Sequence, residues 1–94
     1  MRLLVITPKF RRAYRKLVKK SPKLGNHIDE LLEKMQMDIF LPELGTHKLS
    51  GILSGLWACS CGYDCRIVFT LETDVKTGNE AILLLDIGTH NEVY

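Results

Sequence analysis

Long apolar runs are missing from this 94-residue chain, and nothing in it approaches the roughly 20 residues that a bilayer crossing requires. The first apolar stretch, Leu3 to Ile6 behind Arg2, ends at Thr7-Pro8, too soon for a secretory signal. A cytoplasmic location without a membrane partner is therefore expected. Cysteine is scarce: Cys59, Cys61 and Cys65 are an odd number crowded into seven residues, a poor disulfide framework that better fits a reduced setting. Their C-x-C-x3-C spacing lacks the paired C-x2-C knuckles of structural zinc sites, so no metal and no other cofactor is expected. Cys59 and Cys61 should share one strand face and pack as small hydrophobes. Internal repeats, linkers and low-complexity tracts are absent too, and the length suits one domain, residues 1–94, around one core.

Acidic residues are missing from the first 28 positions, which hold nine of the thirteen Lys and Arg; the rest of the chain carries four bases and all eleven acids. That split of +9 against −7 fits a polyanion-facing surface on the N-terminal part, and it equally fits a solvated helix face.

Arg2 to Ile6 reads as a first strand. Thr7-Pro8 then supplies a helix cap followed by a proline tolerated in the first turn. Phe10, Ala13, Tyr14, Leu17 and Val18 recur at helical spacing, with Arg11, Arg12, Arg15, Lys16, Lys19 and Lys20 mainly on the other faces. Ser21-Pro22 repeats the signal, and Leu24, Ile28, Leu31, Leu32 and Met35 mark a second helix to about Met37, giving an antiparallel hairpin. After Asp38, Pro42, Gly45, Gly51 and Gly55 punctuate a loop-rich stretch. Alternation then predicts strands at Trp57 to Cys61, from Cys65 past Leu71, and at Ala81 to Leu85, with turns at Gly62-Tyr63-Asp64 and around Gly78-Asn79. The order predicts an α+β fold: an N-terminal strand, a two-helix hairpin, then three antiparallel strands in a single sheet, with the helices on one face.

Several segments carry a family resemblance. His47-Lys48-Leu49-Ser50-Gly51, Leu56-Trp57, Tyr63-Asp64-Cys65-Arg66-Ile67-Val68-Phe69, and Leu83 to His90 with Glu92-Val93-Tyr94 follow one another in an order that resembles the RelE/ParE superfamily of bacterial and archaeal toxins. The likeness spans essentially the whole chain and is greatest to the YafQ-like and RelE-like mRNA interferases. It implies a RelE-like fold and a toxin of a type II toxin–antitoxin system that cuts mRNA in the ribosomal A site. The implied partners are a cognate antitoxin and the ribosome with its mRNA and ribosomal RNA, with no DNA contact by the toxin alone.

Metal-independent RNA cleavage uses the 2′-hydroxyl as nucleophile. It needs a base for that hydroxyl, positive charge for the phosphate, and an acid for the departing 5′-oxygen. Histidine serves either proton-transfer role near neutral pH. His47 and His90 lie in the matching segments and are expected to share the acid and base roles, in either direction; His27 falls on the second helix and reads as a surface or packing residue. Asp64 matches the YafQ-like catalytic aspartate, able to orient an imidazole or act as a base, although aspartate is also common in turns. Arg66 aligns with an arginine that RelE-like toxins place on the scissile phosphate, and Lys48, next to His47, adds positive charge near the substrate backbone. Tyr94 takes the position of a terminal aromatic that stacks on a base or assists proton transfer. One departure stands out: YafQ-like toxins carry another histidine in the strand before the aspartate, where this chain has Ser60. The alternatives are a ParE-like gyrase inhibitor without nuclease activity, and a basic RNA-binding module without catalysis.

Overall fold

The computed structural model describes residues 1–94. Strand β1 (Leu3–Ile6) leads into helices α1 (Pro8–Lys20) and α2 (Pro22–Met37), and strands β2 (His47–Lys48), β3 (Trp57–Gly62), β4 (Cys65–Thr73) and β5 (Glu80–Gly88) follow. The chain closes with a short helix, α3 (His90–Val93), and single 3-10 turns occupy Pro42–Leu44 and Gly51–Leu53.

Both long helices start as their sequence signals predict. Thr7 Oγ1 accepts from the amide of Phe10 and donates to the carbonyl of Leu84 at 2.7 Å, so one hydroxyl caps α1 and fastens it to β5. Ser21 closes α1 through its backbone amide and caps α2 through its side chain, which accepts from the amide of Leu24. The two helices run antiparallel: Tyr14 Oη donates to Asp29 Oδ1 at 2.6 Å, and further toward the joint Val18 lies over Gly25. A Cβ at Gly25 would come within 2.8 Å of Val18 Cγ2, so a hydrogen atom there is what lets the helices approach.

The sheet has five strands in the order β1-β5-β4-β3-β2. Pairings β2–β3, β3–β4 and β4–β5 are antiparallel, while β1 returns through the helix pair to lie parallel to β5, with Leu3 opposite Ala81 and Ile6 opposite Leu84. One sheet face packs on the helices. Phe10, Ile28 and Met35 from the helices meet Cys59, Ile67, Phe69, Ile82 and Leu84 from the strands, all essentially inaccessible to solvent.

Three features depart from the sequence reading. His47-Lys48, expected in a loop, forms β2, because its backbone completes the edge of β3. The segment after Gly88, for which no helix is predicted, forms α3. Finally, Cys61 and Cys65, expected as reduced thiols, form a disulfide with their Cα atoms 4.9 Å apart. Cys61 is the extra residue in a bulge between the Ser60–Arg66 and Gly62–Cys65 pairs, and the turn folds both side chains into the core beside each other. Cys59 alone stays free, buried with its Sγ 3.8 Å from Met35 Sδ, and burial pushes its thiol up to about 12.

Candidate active site

The site begins at the β3–β4 turn. Gly62, at φ 142°, adopts a backbone conformation that side-chain-bearing residues rarely take, and this lets the chain reverse immediately before Tyr63 and Asp64. Asp64 then reaches across to α3, where its Oδ1 accepts from the backbone amide of His90 at 3.1 Å. The carboxylate thus anchors the first turn of α3 through a backbone group. A four-residue helix has almost no stability of its own, so its ties decide its position. Besides Asp64, it has a complete capping box: Thr89 Oγ1 accepts from the amide of Glu92, and the amide of Thr89 donates to Glu92 Oε1 at 2.8 Å. Hydrogen bonds from Thr89 hold the Glu92 carboxyl below its ordinary range, and Lys20 and Lys16 of α1 act in the same direction.

His90, the first residue of α3, and Tyr94, its C-cap, stand one turn apart, their rings edge to face with centroids 4.6 Å apart. Partial burial raises the Tyr94 phenol above its usual value, opposed by the nearby Arg66 charge and reinforced by Cys59. The phenol is therefore protonated at neutral pH and available as a hydrogen-bond donor. Arg66 stands opposite Gly88, at the foot of α3. Its Nη1 donates to the carbonyls of Cys65 (2.9 Å) and Gly62 (3.2 Å) and lies 3.4 Å from Ser60 Oγ. These contacts aim the guanidinium through one nitrogen and leave Nη2 and Nε for a ligand such as phosphate. Ser60 itself thus helps to fix the arginine.

Asp64, Arg66, His90 and Tyr94 are brought together; His47 and Lys48 are not. Register links His47 to Ala58, Ala58 to Val68, and Val68 to Asp86, so His47 is three strand spacings, about 14 Å, from β5. Both residues are exposed at the opposite edge. His47 Nδ1 is 2.9 Å from the carbonyl of Gly45 and must carry the proton it donates there, which leaves Nε2 as a free acceptor in the neutral ring. The ammonium of Lys48 lies 5.4 Å above the Trp57 ring. His27 is exposed on α2, as expected for a surface residue. An open cleft of about 390 Å³ lies where the start of α1 (Thr7, Lys9) meets Leu53, Leu56, Val68, Leu85, Asp86 and Val93, and none of the six candidate residues lines it.

Comparison of the backbone with solved structures identifies the architecture. A YoeB/ParE toxin from Agrobacterium tumefaciens superimposes with a TM-score of 0.77 at 16% identity, covering 94% of this chain and 98% of that one. YafQ from E. coli gives 0.77 at 16% identity over 100% and 99%. The chain has the fold of the YoeB/ParE and YafQ toxins. YafQ from the E. coli DinJ-YafQ toxin-antitoxin complex gives 0.75 at 17% identity, over 99% of this chain and 97% of the other. At such identities the shared property is the fold. No protein-family model matches the sequence, and no curated protein does.

Three supporting residues escaped the sequence reading: Thr89 and Glu92, which hold His90 and Tyr94 in place, and Ser60 in its role beside Arg66. The first two had a signal, since Thr89-His90-Asn91-Glu92 is the capping-box pattern. The contact between Ser60 and Arg66 had none, because it depends on pairing across two strands.

Proposed function

We propose that this chain is the toxin of a type II toxin–antitoxin pair, an endoribonuclease that enters the ribosomal A site and cuts mRNA there by attack of the 2′-hydroxyl, and that a cognate antitoxin neutralises it. The observation that carries this reading is the meeting of Arg66, His90 and Tyr94 at one end of a sheet whose fold is that of YafQ and YoeB/ParE toxins. The solved DinJ-YafQ toxin-antitoxin complex supports the antitoxin partner.

In this reading the free nitrogens of Arg66 bind the scissile phosphate and offset the charge that builds on it. His90 transfers a proton at one reacting oxygen, and the protonated phenol of Tyr94 donates to the phosphate or supports a base. His47 and Lys48, three strands away, bind the RNA backbone beyond the reacting phosphate, which leaves the proton transfers to His90 and Tyr94. Asp64 acts through its hold on α3. The basic flank of α1 faces ribosomal RNA, a contact that should weaken steeply with salt.

The test is to induce the chain in bacteria and map mRNA ends. Ends that keep register with codons, and that disappear with His90→Ala while the protein stays folded, are the expected result. Toxicity with intact mRNA and damaged DNA would instead assign the chain to gyrase inhibition.

A further inference from the structure

The disulfide is placed where it can act on the site. It joins the residues flanking the turn that carries Asp64, and Cys65 is the immediate neighbour of Arg66. We propose that the Cys61–Cys65 bridge positions the turn and α3, so that the site is assembled in the oxidised protein and loosened when the bridge is reduced.

The tip of this hairpin has little else to hold it. Gly62, Tyr63 and Asp64 are exposed, and Tyr63 is wholly so, burying nothing. What fixes the tip is the bridge, the Gly62–Cys65 pairing, the bond from Ser60 Oγ to the carbonyl of Gly62, and the bonds from Arg66 Nη1 to the carbonyls of Gly62 and Cys65. Outward from the tip runs the bond between Asp64 and the amide of His90. Displacing the tip therefore moves the anchor of α3 and the acceptors that aim Arg66 together.

Reduction supplies that displacement. Two separated sulfurs must move to non-bonded distance, roughly 3.5–4 Å, and Cys61 and Cys65 belong to a packed core cluster where such expansion is resisted. The exposed side yields, and the tip moves outward. The chemistry balances with a cellular dithiol as reductant. One of its thiolates attacks Cys65 Sγ, the less buried sulfur, forming a mixed disulfide and expelling Cys61, which takes up a proton. The second thiol of the reductant then closes its own disulfide and releases Cys65 as a thiol. Two electrons pass to the bridge, one protein S–S bond is lost, and one forms in the reductant. Cys59 stays out of the exchange, because its buried thiol remains protonated.

The structural half of this inference stands by itself; its effect on activity rests on the proposed function. The full-length chain is prepared oxidised and after treatment with dithiothreitol, and alkylation with mass spectrometry should count one free thiol and three, respectively. Exchange of the His90 amide is followed by NMR, and mRNA cleavage is measured on programmed ribosomes. Reduction should accelerate His90 exchange and lower cleavage, each by about tenfold or more. The Cys61→Ser/Cys65→Ser variant should match the reduced protein in both measurements and ignore the reductant. If that variant fails to fold, the comparison of the two wild-type states decides alone. Equal His90 exchange in both states, or three free thiols under oxidising conditions, would overturn the proposal. Faster exchange on reduction with no cleavage in either state would uphold the positioning role and count against the nuclease reading.

Discussion

Removing the ties of α3 should abolish activity without unfolding the protein. Helix α3 contributes no buried residue to the core, so global stability does not depend on it. Its position does depend on the Thr89 side chain and on Asp64. Loss of an N-cap hydroxyl costs about 1 kcal/mol, so Thr89→Ala should reduce the ratio of ordered to disordered α3 by about fivefold. Asp64→Ala removes a second hydrogen bond, to a charged acceptor, worth a further ~1.5–3 kcal/mol. The double variant should therefore leave α3 mostly disordered, with His90 and Tyr94 no longer held edge to face. Cleavage on programmed ribosomes should fall by at least about 100-fold, as expected when reacting groups are misplaced, while the thermal midpoint stays close to wild type. Thr89→Ser should retain most activity. The Glu92 carboxyl provides an independent check. Its folded pKa is lowered, so its contribution is present above the normal carboxylate range and lost as pH falls through the folded value. Acid should loosen α3 in the wild type. Glu92→Gln, which keeps the capping geometry, should respond less than the wild type over that window, the remainder coming from the Asp64 carboxylate that also holds α3. A double variant that cuts normally, or that loses the whole fold, would refute this account of α3.

Arg66→Lys should lower cleavage by at least about tenfold with an unchanged circular dichroism spectrum, because an ammonium cannot both bond the turn carbonyls and present a second donor pair to phosphate. Gly25→Val should destabilise by roughly 1–3 kcal/mol in denaturant melts, since its side chain would displace Val18 at the helix crossing. For Cys59 the folded pKa is raised, so its contribution to stability is complete below the unfolded value near 9 and lost as pH rises toward about 12. Alkaline denaturation between those limits should accordingly be less steep in Cys59→Val; identical curves would show that the thiol is solvated.

Local signals account for much of what was legible in the chain. Thr7-Pro8 and Ser21-Pro22 marked both helix starts because a cap and a proline act within one turn. Alternation from Cys65 through Leu71 marked β4 because a strand with one buried face repeats every two residues. The candidate site was legible only as types and segments. His90, Tyr94, Asp64 and Arg66 stood out, but nothing local showed that Asp64 would hold a backbone amide 26 residues away.

By itself, then, the sequence determined the helices, the main strands, the α+β class, the charge split and the kinds of chemistry available, since each depends on neighbours a few residues apart. Tertiary structure alone decided the rest. The parallel return of β1 to β5 joins the two ends of the chain, and the bulge at Cys61 brings two thiols within bonding distance. Strand order sets His90 and Tyr94 beside Arg66 while leaving His47 three strands away. Those outcomes depend on register and sheet order, which are fixed by packing the whole core at once and are written in no short stretch of residues.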